Sequence, residues 1–175
     1  RMKGKGPGGH PLFTGFQPNY LFGLDDLCKK FIKRGMRVLE IGCNRGISTN
    51  LFCEYAYKVT AVDKKLVPEM EELLDVRTNL SFVESFSHDY LKSIPADLFD
   101  LIYLDGHHGY ETVIKELGLI TKKCEPGYIL SGHDMYPSAH PDSQVQMAVG
   151  TFFPELKSGK RILHRFSDSS WAIEM

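Results

Sequence analysis

Three groups of residues in this 175-residue chain combine types and spacings that could do chemistry. The first is Glu40-Ile41-Gly42-Cys43-Asn44-Arg45-Gly46, an acidic residue followed by a loop whose glycines let the backbone turn sharply and approach a ligand without Cβ obstruction. Its spacing matches neither phosphate-binding glycine pattern, and a carboxylate at Glu40 would repel a phosphate. A cofactor carrying positive charge suits this loop better. The second is Asp63, 23 residues after Glu40, where a carboxylate can accept both hydroxyl hydrogens of a ribose. The third is a pair of segments, Asp105-Gly106-His107-His108-Gly109-Tyr110-Glu111 and Gly132-His133-Asp134. Asp105, His133 and Asp134 could together hold Mg²⁺ or Mn²⁺, hard cations that favour oxygen ligands. Such an ion would stabilise a substrate alkoxide and orient it. In the alternative, His107 or His133 takes a hydroxyl proton directly, since imidazole titrates near neutral pH, and Asp105 accepts a hydrogen bond from the cofactor's amino group.

These groups meet only if the chain brings them to one side of a sheet. Apolar, strand-like runs occur at Arg37–Ile41, Lys58–Val62, Ser81–Glu84, Phe99–Leu104 and Tyr128–Ser131. Helical patterns fill the gaps at Ile47–Ala56, Leu66–Asp75, Tyr110–Lys123 and Ser143–Phe153, and another covers Leu24–Lys33. Strands alternating with helices imply parallel pairing through right-handed crossovers. In an open α/β sheet, ligands bind beyond the carboxyl ends of neighbouring strands, so Asp105, His107, His133 and Asp134 should surround one crevice. Two further β-like runs, Arg161–Phe166 and Ser170–Glu174, are joined by a short Ser-Asp-Ser link and read as an antiparallel hairpin. Trp171 in the second of these reads as core, whereas Tyr136 and His140 stand where a substrate could touch them.

The residues resemble a known family. Glu40 to Gly46 is similar to the first motif of class I S-adenosylmethionine-dependent methyltransferases, and Val59 to Asp63 to the second. The stretch Asp105-Gly106-His107-His108-Gly109-Tyr110-Glu111, the Gly132-His133-Asp134 triplet and the helix Val145–Phe153 resemble the branch called methyltransferase family 24. The likeness runs from about Leu24 to Met175 and implies an α/β, Rossmann-like three-layer sandwich. Its mostly parallel sheet would have seven strands and an antiparallel C-terminal hairpin. By this resemblance Glu40, Gly42 and Gly46, with Cys43 and Asn44 between them, would line the methionine part of the cofactor. Asp63 would hold its ribose, and Ser85 and Phe86 would sit by its adenine. Metal-dependent O-methyltransferases of this kind carry an acidic or amide pair where this chain has His133-Asp134. Some place an acidic base where His107 stands.

Composition narrows the alternatives. One domain over residues 24–175 is expected, preceded by a flexible N-terminus and aromatic arm over 1–23. A formal net charge of -1 does not describe a nucleic-acid-binding surface, and the Asn/Asp-Pro-Pro-aromatic motif of amino-group methylases is missing after the fourth strand. No apolar run reaches the ~20 residues that cross a bilayer. The first ten residues are basic and glycine-rich, unlike a secretory signal. Cys28, Cys43, Cys53 and Cys124 form no C-x-x-C pair, so reduced thiols and a cytoplasmic location are expected. The functional expectation is S-adenosylmethionine-dependent O-methylation of a small hydroxylated acceptor, a sugar or other metabolite, with Mg²⁺ assistance left open. The alternatives are a cofactor-binding module that needs a partner for activity and, less well matched, a nucleic-acid methyltransferase. Little besides the N-terminal arm could cover a substrate, and a homodimer lending a lid would meet that need.

Overall fold

The computed structural model describes residues 21–95, 98–136 and 142–175; residues 1–20 of the expected arm, and His140, lie outside them. After α1 (Phe22–Phe31), strands and helices alternate: β1 (Arg37–Ile41), α2 (Ile47–Tyr55), β2 (Lys58–Asp63), α3 (Pro68–Val76), β3 (Leu80–Glu84), α4 (Ser87–Ser93), β4 (Leu101–Leu104), α5 (Tyr110–Lys123) and β5 (Ile129–Gly132). Then come α6 (Val145–Phe152), a 3-10 turn at Pro154–Leu156, β6 (Leu163–Arg165) and β7 (Trp171–Glu174). The seven strands form one sheet in the order β3-β2-β1-β4-β5-β7-β6. The first five run parallel, and β7 lies antiparallel to both β5 and β6. This is the α/β, Rossmann-like sandwich expected from the sequence, with its terminal hairpin.

Alternation along the strands divides the core between two faces. Val38 and Tyr103 point to one face, where they join Leu27 and Phe31 of α1 and Phe52 of α2. Leu39, Ile41, Ile102 and Leu104 point to the other, against Leu91 of α4, Leu117 of α5 and Val149 of α6. Trp171 is fully buried in this second cluster. A helix absent from the sequence-based expectation is α4, whose only buried residue is Leu91. With no apolar stripe it shows no period to read. All four cysteines are free thiols, and no helix among the described residues is long and apolar enough to cross a membrane.

Backbone pairing levels the carboxyl ends of the central strands. Ile41 stands beside Val62 of β2 and Leu104 of β4, and Leu104 beside Gly132 of β5. Just beyond, Gly42 N–H donates to Val62 O at 2.8 Å, Asp105 N–H to Ile41 O at 2.8 Å and His133 N–H to Leu104 O at 3.0 Å. Strand order reverses between β1 and β4, which opens a crevice at this end of the sheet.

The start of α1 is fastened to the turn between β6 and β7. Leu24 N–H donates to Asp168 Oδ2 at 2.6 Å, and Ser170 N–H to Asp168 Oδ1 at 2.9 Å. A Cβ on Gly23 would stand 2.2 Å from Asp168 Oδ1 and 2.6 Å from Asp168 N, so only glycine allows this approach. Gly23→Ala should therefore destabilise the protein by about 1–3 kcal/mol, the usual cost of overpacking, in urea unfolding. An unchanged midpoint would show that the turn yields freely.

Candidate functional site

The loop from β1 into α2 is built around a close approach. Gly42, at φ 88°, would carry a Cβ 2.4 Å from the carbonyl oxygen of Asp105. Gly46 N–H then donates to Cys43 O at 2.8 Å, and Asn44 takes the left-handed conformation at φ 44°. Asn44 N–H donates to Asp63 Oδ2 at 2.8 Å, and Lys64 N–H to Asp63 Oδ1 at 2.7 Å. One carboxylate thus ties the loop after β1 to the end of β2.

Glu40 lies beneath this loop. It is fully buried, and its two oxygens accept hydrogen bonds from the hydroxyls of Ser48 and Thr49 in the first turn of α2. Burial pushes its carboxyl up to about 7, against the pull of the two hydroxyls. A cavity of about 1330 Å³ opens over the loop. Gly42, Cys43, Asn44 and Asp63 line one end of it, with Ser85 and the exposed ring of Phe86 beside them. Glu40 and Gly46, expected to line the methionine part, are not among the lining residues.

Asp105, His107, His108, His133 and Asp134 line the same cavity beyond the ends of β4 and β5. One ligand atom each of Asp105, His108 and Asp134 can be chosen so that all lie within 4.8 Å of one another. His108 Nδ1 stands 3.1 Å from Asp134 Oδ2. His133 Nδ1 is 3.2 Å from Asp134 Oδ1 and 3.9 Å from Asp105 Oδ1. Backbone bonds hold these loops together: Gln144 N–H donates to His108 O at 2.9 Å, and Ser143 Oγ to Asp134 O at 2.8 Å.

The electrostatics sort the three histidines. Burial holds the Asp105 carboxyl well above the usual range, with Asp134 pushing the same way and His133 opposing. For His133, burial works to lower the imidazole, but Asp134 and Asp105 outweigh it and raise it to about 9. The imidazole is thus held by the two carboxyl groups on either side of it. His107 is exposed and accepts a hydrogen bond from Gly109 N–H on its Nδ1 at 3.0 Å, which occupies the lone pair of its neutral form. Of the residues expected to form a metal set, Asp105 and Asp134 come together, His133 lies beside both, and His108, not expected in the set, joins them. Two adjacent histidines gave no means of telling which would face the carboxylates.

The turn that builds much of the far wall was not legible in the sequence, although Tyr136 and the arm that includes Leu21 were. Leu21 and Leu24 line this wall, with Ser167, Asp168 and Ser169 of the turn between β6 and β7 and with Tyr136. Ser169, at φ 76°, receives Met135 N–H on its carbonyl and Tyr136 N–H on its hydroxyl, at 3.1 and 2.8 Å. The Ser-Asp-Ser composition signals a turn but not what the turn grips.

Comparison with known proteins is consistent with this geometry. The model of the family described as Methyltransferase domain matches residues 39–135. Uncharacterized protein R132 of Acanthamoeba polyphaga mimivirus is 26% identical over 159 residues, covering 82% of this chain and 71% of the viral protein. Among solved structures, SMU.1697c of Streptococcus mutans, in complex with SAH, has a TM-score of 0.65 at 16% identity, covering 91% of this chain and 98% of its own. The MycE methyltransferase of the mycinamycin biosynthetic pathway, in complex with Mg, SAH and mycinamycin VI, has a TM-score of 0.61 at 20% identity, covering 86% of this chain and 48% of its own. At these identities the two structures share the fold.

Glu40 gives the site a pH signature. Its carboxyl titrates near 4.5 when unfolded and about 7 when folded, so the stability it contributes is full at low pH and is lost as pH rises through about 7. Thr49→Val keeps the shape but removes one donor to the carboxylate. Denaturant titrations should show a loss of about 1–3 kcal/mol at pH 8 and a smaller one at pH 5. Equal losses at both would mean that Thr49 does not stabilise the charged form.

Proposed function

The chain belongs to the Methyltransferase domain family and is a class I S-adenosylmethionine-dependent methyltransferase; on that premise, we propose that it methylates an oxygen of a small hydroxylated acceptor, such as a sugar or other metabolite. The observation that carries this reading is the meeting of Asp105, His108 and Asp134 in the cavity over the Gly42 loop. Its volume of about 1330 Å³ exceeds that of a typical single-ligand pocket, which leaves room for cofactor and acceptor together. Asp63 is assigned to the ribose, Gly42 to Asn44 to the methionine portion, and Ser85 and Phe86 to the adenine.

Transfer is an in-line displacement. The acceptor oxygen attacks the sulfonium methyl carbon, the carbon–sulfur bond breaks, and its electron pair returns to sulfur to give the neutral thioether. The hydroxyl proton passes to His108 Nε2, while Asp134 receives Nδ1–H and holds the ring in the tautomer that leaves Nε2 open. Asp105 and His133 form the polar end against which the hydroxyl is oriented. Positioning and electrostatic stabilisation of the nucleophile supply most of the acceleration. No Lys or Arg is among the described lining residues apart from Arg45 and Lys64, on the loops after β1 and β2.

A second reading rests on the closeness of the ligand atoms. Two carboxylates and an imidazole within 4.8 Å fit Mg²⁺ or Mn²⁺. Asp105, His108 and Asp134 would hold the ion, which when bound would act as a Lewis acid on the acceptor oxygen. In that case His108 is a ligand and does not take the proton.

Calorimetry should show S-adenosylhomocysteine binding that Asp63→Ala weakens at least about tenfold, the loss of two hydrogen bonds to a charged group. With labelled S-adenosylmethionine and a panel of monosaccharides and catechols, His108→Gln should lower turnover by about 10²-fold or more without changing cofactor affinity. Absence of cofactor binding would sink the reading outright. Turnover abolished by a chelator and restored by Mn²⁺ would select the metal-bound form, and turnover indifferent to the chelator the free base.

A further inference from the structure

Among the described residues, those other than glycine with a positive φ are Asn44 at 44°, Asp134 at 56° and Ser169 at 76°, and each of them lines the cavity. Left-handed backbone is uncommon for a residue with a Cβ and persists where its surroundings enforce it. At Asp134 the enforcement can be followed bond by bond. The angles of one residue are set by the two rigid peptide planes that flank it. The plane after Asp134 is held at both ends, Ser143 Oγ donating to Asp134 O at 2.8 Å and Met135 N–H to Ser169 O at 3.1 Å. The plane before it is held by Trp171, whose Nε1–H donates to His133 O at 3.2 Å. Trp171 is fully buried on β7, opposite Gly132 at the end of β5. A Cβ on Gly132 would stand 3.0 Å from Trp171 Cε2 and Cζ2, so the glycine lets the indole lie close against the strand end.

This conformation aims a carboxylate. Asp134 Oδ2 stands 3.1 Å from His108 Nδ1, and Oδ1 stands 3.2 Å from His133 Nδ1. A change of φ at Asp134 would swing both oxygens relative to His108. We propose that Trp171 is a positioning residue for methyl transfer, its indole N–H holding the His133–Asp134 peptide so that the Asp134 carboxylate faces His108. The proposal rests on Asp134 and His108 acting at the acceptor, and it applies equally whether His108 takes the proton or joins a metal set. The one indole N–H is engaged at the end of β5, away from the loops after β1 and β2 that are assigned to the cofactor. Its loss therefore falls on turnover and not on cofactor affinity.

Trp171 is the single tryptophan of the chain, so biosynthetic replacement by benzothienylalanine removes this donor and no other. That analogue carries sulfur in place of the indole N–H at nearly the same shape. The substituted full chain should bind S-adenosylhomocysteine with wild-type affinity in calorimetry. Its kcat, on whichever monosaccharide or catechol the wild type methylates, should fall about tenfold or more at an unchanged KM for S-adenosylmethionine, since a misplacement of about 1 Å can cost about 10²-fold. In an Asp134→Asn background the replacement should lower kcat no further, because both changes act through one carboxylate. Hydrogen exchange reads the same bond without an acceptor: the Met135 and Tyr136 amides should exchange about fivefold faster, while those of β5 keep their rates. Wild-type kcat, a further loss in the Asp134→Asn background, or unchanged exchange at Met135 and Tyr136 would overturn the proposal. Should the substituted chain not fold, Trp171→Phe decides by the same comparison of kcat with and without Asp134→Asn. A wild type that methylates nothing in the panel is a failure of the acceptor reading instead, and the exchange rates then decide whether the indole holds Asp134.

Discussion

The geometry of the cavity depends on how closely two backbones approach at the reversal of strand order. Gly42 lies against the Asp105–Gly106 backbone with no room for a Cβ, and Asp105 N–H is bonded to Ile41 O. These contacts place the loop after β1 and the end of β4 at one level, so that whatever the loop binds is presented to Asp105. The β5 end follows by the same pairing, through His133 N–H and Leu104 O. A side chain at Gly42 would part the strands and separate the loop after β1 from the carboxylates.

Around that junction the protein keeps several carboxyl groups away from water, and each is managed differently. Glu40 is met by two hydroxyls, Asp105 faces the His133 imidazole, and Asp63 is held by two backbone N–H groups near the surface. The differences follow from position along the strands. Glu40 points to the face covered by α1 and α2, where the hydroxyls of Ser48 and Thr49 reach it. Asp63 and Asp105 lie where the strands end and backbone donors or other side chains are free to reach them. Burial without a full set of partners raises a carboxyl, which is why Glu40 and Asp105 share the direction of their shift.

Much of this was legible in the sequence because the signals are local. The bounds of β1 and α5 agree with the apolar pattern residue for residue, and the hairpin was visible as two β-like runs with a short polar link. The sheet end that collects Asp105, His133 and Asp134 follows from strand alternation alone. What escaped is settled by tertiary contact. Adjacent histidines at 107 and 108 look alike in a sequence, and only the bonds from Gly109 N–H and to Asp134 separate them. Helix α4 was missed because it is short and buries a single residue, Leu91, which leaves no periodic apolar face to read. The role of Asp168 was hidden for a similar reason, since its partner Leu24 N–H is 144 residues away.

The antiparallel arrangement of β5, β7 and β6 has a wider consequence for how the cavity is partitioned. The end lined by Gly42, Asp63 and Ser85 is made from loops that follow parallel strands, each locked by its neighbours in the sheet. The opposite end hangs from a hairpin turn, Ser167 to Ser169, whose conformation is set by a few backbone bonds to α1 and to Met135 and Tyr136. The turn belongs to an outer strand pair, so its length and side chains do not enter the register of the inner strands. The architecture is thus modular in the sense used for grafting: a fixed socket on one side, and on the other an exchangeable jaw.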